Sequence, residues 1–354
     1  MSDPWHDFRL NPQIRPLQYS LTLRIDTKNN VFNGSVEMEV IAHKEVDYFV
    51  IHCGDNLTIT DTRVYMNGTG DQLSIKQFLH YKPFEYFVIQ LAKKSASNAY
   101  RLSFDFTSKI EINTNIGLYK ASQSIGNTTT GVITTQFEPT RARNVFPCFD
   151  EPVFKSQFDL TLIHESIMNT TLTNMPTIDI HPDTPAPGWT TTTYKRTDPM
   201  PTYLLAIIVS DYVCHNASAQ GHDYDIKVCS NHEVVSKLGY ATQIAAKPLT
   251  MYEEYLGVKY SLPKLDLVTI PNFAGGMENW GLVITNEKSL LWTPDEYTSA
   301  NKMFIAREVA HEFAHMWFGD LITCHFWDHL WLNEGFAEFM SYYGIDYIEP
   351  SWNY

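Results

Sequence analysis

Two histidines and two glutamates stand at spacings suited to metal-assisted hydrolysis. In His311-Glu312-Phe313-Ala314-His315 the histidines are four positions apart. On a helix they would share one face, one turn apart, and both imidazoles could reach one ion. Glu312 lies beside them, where its carboxylate can polarise a water on that ion. A catalytic zinc usually takes three protein ligands and keeps a fourth position for water. Glu334 is the candidate third ligand. Eighteen residues intervene between His315 and Glu334, which opens the next helical stretch, so a helix, a loop and an antiparallel helix would return its carboxylate to the histidines. The histidine pair alone also fits two surface side chains on a helix; with Glu334 at this spacing the reading becomes one Zn2+ per chain. His325 and His329, between the two stretches, are near enough to support the metal ligands, but by position alone they read as solvated loop residues.

The elements that must hold these groups follow from periodicity. Ala306, Val309, Ala310, Phe313, Ala314 and Trp317 recur at helical spacing, which predicts a helix over 300–318 with Gly319 as its C-cap. A second helix is predicted over 330–343, an earlier one over 234–255 ending at Gly257, and an apolar strand over 265–270. From about residue 18 to residue 208 the texture is different. Short Val, Ile, Tyr, Phe and Thr runs, such as 19–25, 35–41, 49–52 and 87–91, are punctuated by Asn, Gly, Asp and Pro. The chain is therefore expected to be multidomain: an all-β domain over 1–212, then an α/β or mainly helical domain over 213–354 that ends at Tyr354 without a closing element.

Composition narrows the function classes. With 354 residues, two cores are the default expectation. A net charge of -14 argues against nucleic acid, which needs clustered Lys and Arg to neutralise phosphates. No apolar run approaches the roughly 20 residues needed to span a bilayer, and the first ten residues form no signal-peptide core. Six N-x-[ST] sequons, at Asn33, Asn56, Asn67, Asn127, Asn169 and Asn216, would accept glycans in a secreted context. Chance in an Asn- and Thr-rich chain accounts for them equally well. Five cysteines, Cys53, Cys148, Cys214, Cys229 and Cys324, are too dispersed for a disulfide scaffold. Cys214 and Cys229 flank a polar segment and would pair in an extracellular chain, or stay reduced in a cytosolic one.

At Gly275-Gly276-Met277-Glu278-Asn279-Trp280-Gly281 the sequence resembles the G-x-M-E-N loop of zinc aminopeptidases of the M1 family. Small glycines let a peptide backbone approach, and a carboxylate beside a metal can pair with a cation; taken alone, the stretch could equally be a turn. Thr135-Gln136-Phe137-Glu138-Pro139-Thr140-Arg141-Ala142-Arg143, continuing through Phe146-Pro147-Cys148-Phe149-Asp150-Glu151-Pro152, is similar to the segment by which the family's β-domain reaches the active site. Read by themselves, Arg141 and Arg143 are surface charges and Cys148 a small buried residue. The resemblance spans essentially the whole chain, with three motifs in order. It implies a saddle-like N-terminal β-sandwich domain followed by a truncated, thermolysin-like catalytic domain. It further implies that Glu278 and Glu138 hold the α-ammonium of a peptide with a free N-terminus, that Gly275, Gly276, Met277 and Asn279 form the loop around Glu278, and that Gln136 lines the pocket for the first side chain. It assigns Glu312 as the catalytic base.

The same resemblance implies an extracellular or plasma-membrane ectodomain, with attachment through a segment outside this sequence, and is compatible with a homodimer; a cytoplasmic location is the alternative. Two departures stand out. Many members carry Asp where this chain has His329, and Glu where it has Ser341; that Glu supports a ligand histidine, and Glu338, one turn after Glu334, is the candidate replacement. The family's transition-state Tyr lies tens of residues beyond the third ligand, so the chain alone is expected to have little activity, with Phe313 and Trp317 partly uncovered. A catalytically dead peptide-binding relative and a metalloendopeptidase are the other classes, the latter disfavoured by two carboxylates at the amine.

Overall fold

The computed structural model describes residues 3–96, 98–125, 128–217 and 223–352. Strand alternation builds the first part. Ile14–Asp26 turns Tyr19, Leu21, Leu23 and Ile25 inward and leaves the residues between them more open, the period-two pattern of a half-buried strand. It sits inside a seven-stranded sheet, antiparallel to Val31–Ala42 and parallel to Gln157–Glu165. The long crossover between these parallel partners supplies a three-stranded sheet (Val46–His52, Tyr86–Ser95, Ile75–Tyr81) and much of a five-stranded one. In the latter, Thr128–Gln136 pairs with Gly117–Ile125, and its last residue is Gln136.

Arg143 is not a surface charge. Its guanidinium is buried and donates from Nε to Asp150 Oδ2 at 2.9 Å, with Glu85 3.2 Å from Nη1. A buried cation survives only when paired in this way, so the segment after Glu138 is pinned from inside the β portion.

A fourth sheet begins at Val213. Its order is Val213–Ala217, Asp225–Ser230, Lys264–Ile270, Leu282–Asn286 and Gly276–Met277. Every residue of Lys264–Ile270 is buried, as expected for a strand with parallel neighbours on both sides. Cys214 stands opposite Cys229 in the antiparallel register of the first two strands, and a disulfide joins them. Cys53, Cys148 and Cys324 are free and buried.

Four α-helices accompany this sheet among the described residues: α1 (Gly239–Ile244), α2 (Ala246–Leu256), α3 (Ser299–Ala314) and α4 (Trp331–Ile348). The single helix expected over 234–255 is instead a 3-10 turn followed by α1 and α2, which part at Ala245. Pro248 explains the break, because it has no N–H to give the carbonyl four residues earlier, at Ile244, and its ring crowds that carbonyl. Gly257 caps α2 in the left-handed region, φ 67°. α3 stops at Ala314, short of the expected 318, and Gly319, at φ 138°, is not its cap; its N–H instead bonds the Ile322 carbonyl. α4 continues past 343 because Gly344, Ile345 and Ile348 are buried against its neighbours.

Phe313 and Trp317 are buried, contrary to the expectation that they lack cover; α4 instead carries several exposed aromatics, among them Phe336 and Phe339. Tyr252 of α2 ties α3 to α4, donating to the Ala310 and Met340 carbonyls at 2.8 and 3.1 Å. Where the helices cross, a Cβ on Gly344 would lie 2.6 Å from the Ala310 Cβ, so glycine sets the approach. No helix among the described residues is long and apolar enough to cross a membrane.

Candidate metal and amine site

α3 is cut to length by its caps. Thr298 accepts from the Asn301 N–H while the Asn301 side chain accepts from the Thr298 N–H, a reciprocal box that satisfies two orphan donors. Ile305, Ala306, Val309, Ala310 and Phe313 are buried, and this packing orients His311 and His315 toward α4. Glu334 stands in the first turn of α4. Beside it, Asn333 is buried, donating to the Tyr203 hydroxyl at 3.3 Å and accepting from the Cys324 N–H at 3.2 Å. The start of α4 is thus fastened both to its own preceding loop and to the β portion.

The three candidate ligands meet. His311 Nε2 and His315 Nε2 are 3.1 Å apart, and Glu334 Oε2 is 3.5 Å from the first and 3.6 Å from the second. Ligands about 2.0–2.2 Å from a tetrahedral zinc lie about 3.3–3.6 Å from one another, so the triangle has the size that one such ion requires. The two-histidine, one-carboxylate set also matches the chemistry of a catalytic zinc. Burial alone would depress the His315 ring; the Glu278, Glu334 and Glu312 carboxylates overrule it and push its pKa well up. Burial works against Glu334 too, but the facing His311 and His315 rings hold its carboxyl far below the usual range.

A second cluster adjoins the first. Glu138, Glu278 and Glu334 each offer an oxygen within 4.8 Å of the other two, so Glu334 belongs to both groups. Glu278 is buried, and its loop is held from outside: Asn174 donates to the Trp280 carbonyl at 3.0 Å and Lys264 to the Gly281 carbonyl at 2.8 Å. Burial first, then the Glu278 and Glu334 charges, raise the Glu138 carboxyl from 4.5 to about 8. Three carboxylates at this distance are a poor arrangement without a cation among them.

Glu312 is buried beneath Gly276. A Cβ on Gly276 would come within 1.9 Å of Glu312 Oε1, so the glycine makes room for the carboxylate. Burial drives the Glu312 pKa well up, with His315 opposing. Met277 is fully buried and pairs with Ile284 across the edge of the sheet; Gly275 is exposed at φ 82°, and Asn279 is buried, with its Nδ2 3.5 Å from the Tyr203 carbonyl. Gln136 Oε1, Glu138 Oε1, Glu278 Oε1, Asn279 Oδ1 and Glu312 Oε2 are buried and find no hydrogen-bond partner in the protein. Buried polar atoms are nearly always paired, so their concentration here marks a place for a polar ligand.

His325 and His329 are exposed, and His329 pairs with Asp328 at 2.9 Å. Two further residues belong to the site without a sequence signal. Tyr203 braces Asn333 and contacts the Gly319 carbonyl at 3.3 Å. Asp320 is completely buried, both of its oxygens lack partners, and burial followed by the Glu278 charge pushes its carboxyl well up. Neither stands in a motif that spacing could have flagged.

Comparison with known proteins identifies the family. The family model described as Peptidase M1 N-terminal domain matches residues 15–204, and that described as Peptidase family M1 domain matches residues 240–354. Glutamyl aminopeptidase of Bos taurus is 34% identical over 99% of this chain and 37% of its own length. Aminopeptidase N of Homo sapiens is 36% identical over 99% and 38%, and endoplasmic reticulum aminopeptidase 2 of Bos taurus 34% identical over 98% and 36%. The chain spans a little over a third of the length of these relatives.

Proposed function

The chain belongs to peptidase family M1, and from that premise we propose that it carries the zinc and amine-binding sites of an aminopeptidase that releases the first residue of peptides with a free N-terminus. The observation that carries this reading is the sharing of Glu334 between the two clusters. A cation held by Glu138 and Glu278 is thereby kept one carboxylate away from the metal ligands, which leaves room for a single residue between the amine and the scissile bond.

In this reading His311, His315 and Glu334 hold one Zn2+, which when bound polarises the scissile carbonyl and lowers the pKa of a coordinated water toward about 7. Glu312, buried beneath Gly276, takes the proton of the attacking water and passes it to the leaving amine, the task of a general base and acid. Glu278 and Glu138 receive the substrate ammonium through charge-assisted hydrogen bonds. Gln136, with its Oε1 buried and unpaired, faces the first side chain. Gly275, Gly276, Met277 and Asn279 fix the loop that presents Glu278. Residues 1–212 act as the β-domain that supplies Gln136 and Glu138, and 213–354 as the catalytic part.

An extracellular setting is supported by the Cys214–Cys229 disulfide and by the exposed sequons at Asn33, Asn169 and Asn216. Asn56 is different, because its Nδ2 already donates to Ser108 and to the Asn144 carbonyl; the Asn127 sequon lies outside the described residues. The test, in a C-terminally extended chain because this chain alone is expected to turn over little, is hydrolysis of leucine p-nitroanilide set against its Nα-acetylated form, with zinc content measured alongside. Turnover of the free-amine substrate alone supports the reading, whereas equal cleavage of both would point to a metalloendopeptidase.

A further inference from the structure

The two candidate ligand histidines aim Nε2 at each other and at Glu334, which leaves Nδ1 of each ring facing away. A ligand imidazole needs a partner at its distal nitrogen, since that bond fixes both the tautomer and the ring plane. His315 has one within its own loop, the Phe318 carbonyl at 2.8 Å. His311 has none on its own helix. Facing its Nδ1, at 3.5 Å, is Oε2 of Glu338 on α4. Position 341, where the resemblance led us to look for such a carboxylate, holds a buried serine that donates to the Glu338 carbonyl at 2.7 Å.

Glu338 is itself held. Its other oxygen, Oε1, is bonded to Arg307, and the Arg307 guanidinium also lies over the Tyr342 ring, 5.8 Å from its centre. Arg307 is one turn before His311 on α3, and Glu338 is one turn after Glu334 on α4. Two antiparallel helices thus present two successive rungs: the ligands His311 and Glu334 on one, Arg307 and Glu338 on the next.

We propose that Glu338, gripped by Arg307 through one oxygen, is the positioning residue of His311, accepting the Nδ1 proton with the other oxygen and so presenting Nε2 to the metal. The grip serves a second purpose. Glu338 is partly exposed, and Arg307 keeps its carboxylate from turning out into solvent. The 3.5 Å gap is an ion-pair distance, longer than a hydrogen bond; it closes when Nε2 is taken by a metal and the ring's one proton must reside on Nδ1.

The inference rests on the zinc reading above, and its test separates the two. Zinc affinity of the chain is measured by competition with a chelating indicator for the wild type, Glu338→Gln, Arg307→Gln and the double variant. Glu338→Gln should bind zinc about 10- to 100-fold more weakly, the usual effect of losing a group that orients a ligand. Arg307→Gln should lose less, and the double variant should match Glu338→Gln, because Arg307 acts only through Glu338. In NMR of the zinc-loaded chain, His311 should be protonated at Nδ1 in the wild type and in Glu338→Gln alike, but the downfield shift that a carboxylate acceptor gives the Nδ1 proton should be present in the wild type and lost in the variant. A merely structural Glu338 would lower the melting temperature of the metal-free chain while leaving zinc affinity and the NMR signature in place. If the wild type binds zinc and Glu338→Gln binds it within twofold as tightly, the proposal is overturned while the zinc reading stands. If the wild type binds no zinc, both fall together.

Discussion

The metal triad and the amine cluster share Glu334 but are encoded in opposite ways. His311, His315 and Glu334 lie within a helix, a loop and a helix, so their meeting depends on local periodicity and one helix crossing. Glu138 and Glu278 are 140 positions apart in the chain and come from the end of a β-domain strand and a loop beside an edge strand. The first cluster is assembled by elements that contact each other anyway. The second depends on Arg143 fixing the segment after Glu138, on Lys264 fixing the loop after Glu278, and on Asn174 joining the β portion to that loop. The triad should therefore tolerate damage to the β portion, whereas the amine cluster should not.

The sharpest way to break this contrast is to remove triad members singly. His311→Ala and Glu334→Ala should each abolish stoichiometric zinc binding, read as metal retained after dialysis, while Glu312→Gln should keep it, since Glu312 stands outside the cluster of three candidate ligands. Equal metal loss in all three would mean that the two roles are not separate. Next in size is Glu278→Gln. Zinc content should be unchanged, while affinity for a free-amine ligand falls at least tenfold, because a buried charged hydrogen bond contributes about 1.5 to 3 kcal/mol. An unaltered affinity would make the Gly-Gly-Met-Glu-Asn loop structural only.

A smaller effect is expected where the two clusters touch. Gly276→Ala forces a methyl group into the space of the Glu312 carboxylate, so the chain should lose about 1–3 kcal/mol of stability, the usual cost of overpacking, with zinc retained. A denaturant midpoint equal to that of the wild type would show that Glu312 moves aside freely.

The mildest test uses pH. Glu138 has its folded pKa raised from 4.5 to about 8, so between those values the folded chain holds a proton that the unfolded chain has released. Its contribution to stability is intact below about 4.5 and is lost as pH rises through about 8. Glu138→Gln should therefore stabilise the metal-free chain progressively more from pH 5 to 9, read as the difference in melting temperature. A difference that stays constant with pH would place Glu138 away from the other carboxylates.

Much of the triad was legible in the sequence because i, i+4 spacing is a property of the helix itself. The alternation of Ile14–Asp26 was legible for the same reason, and the strand Lys264–Ile270 by its short apolar-leaning run, although Asp266 and Thr269 are buried in it. What escaped is what distant partners decide. Arg143 reads as a surface charge until Asp150 and Glu85 close around it. α4 runs beyond its predicted end because of buried tertiary contacts, and α1 and α2 part at a proline whose effect falls several residues before it. Tyr203 and Asp320 reach the site from positions that no spacing rule singles out, and Glu138 was visible only through family resemblance.

The central claim is that the metal ligands and the ammonium-binding carboxylates form one site with room for a single residue between them. It is tested most directly by titrating the zinc-loaded chain with leucine hydroxamate and with Nα-acetyl-leucine hydroxamate, two ligands with the same zinc-chelating group that differ in whether the amine can carry a charge. The account predicts that the free amine binds at least tenfold more tightly, and that Glu278→Gln erases most of the difference. Equal affinities for the two compounds in the wild-type chain would contradict it.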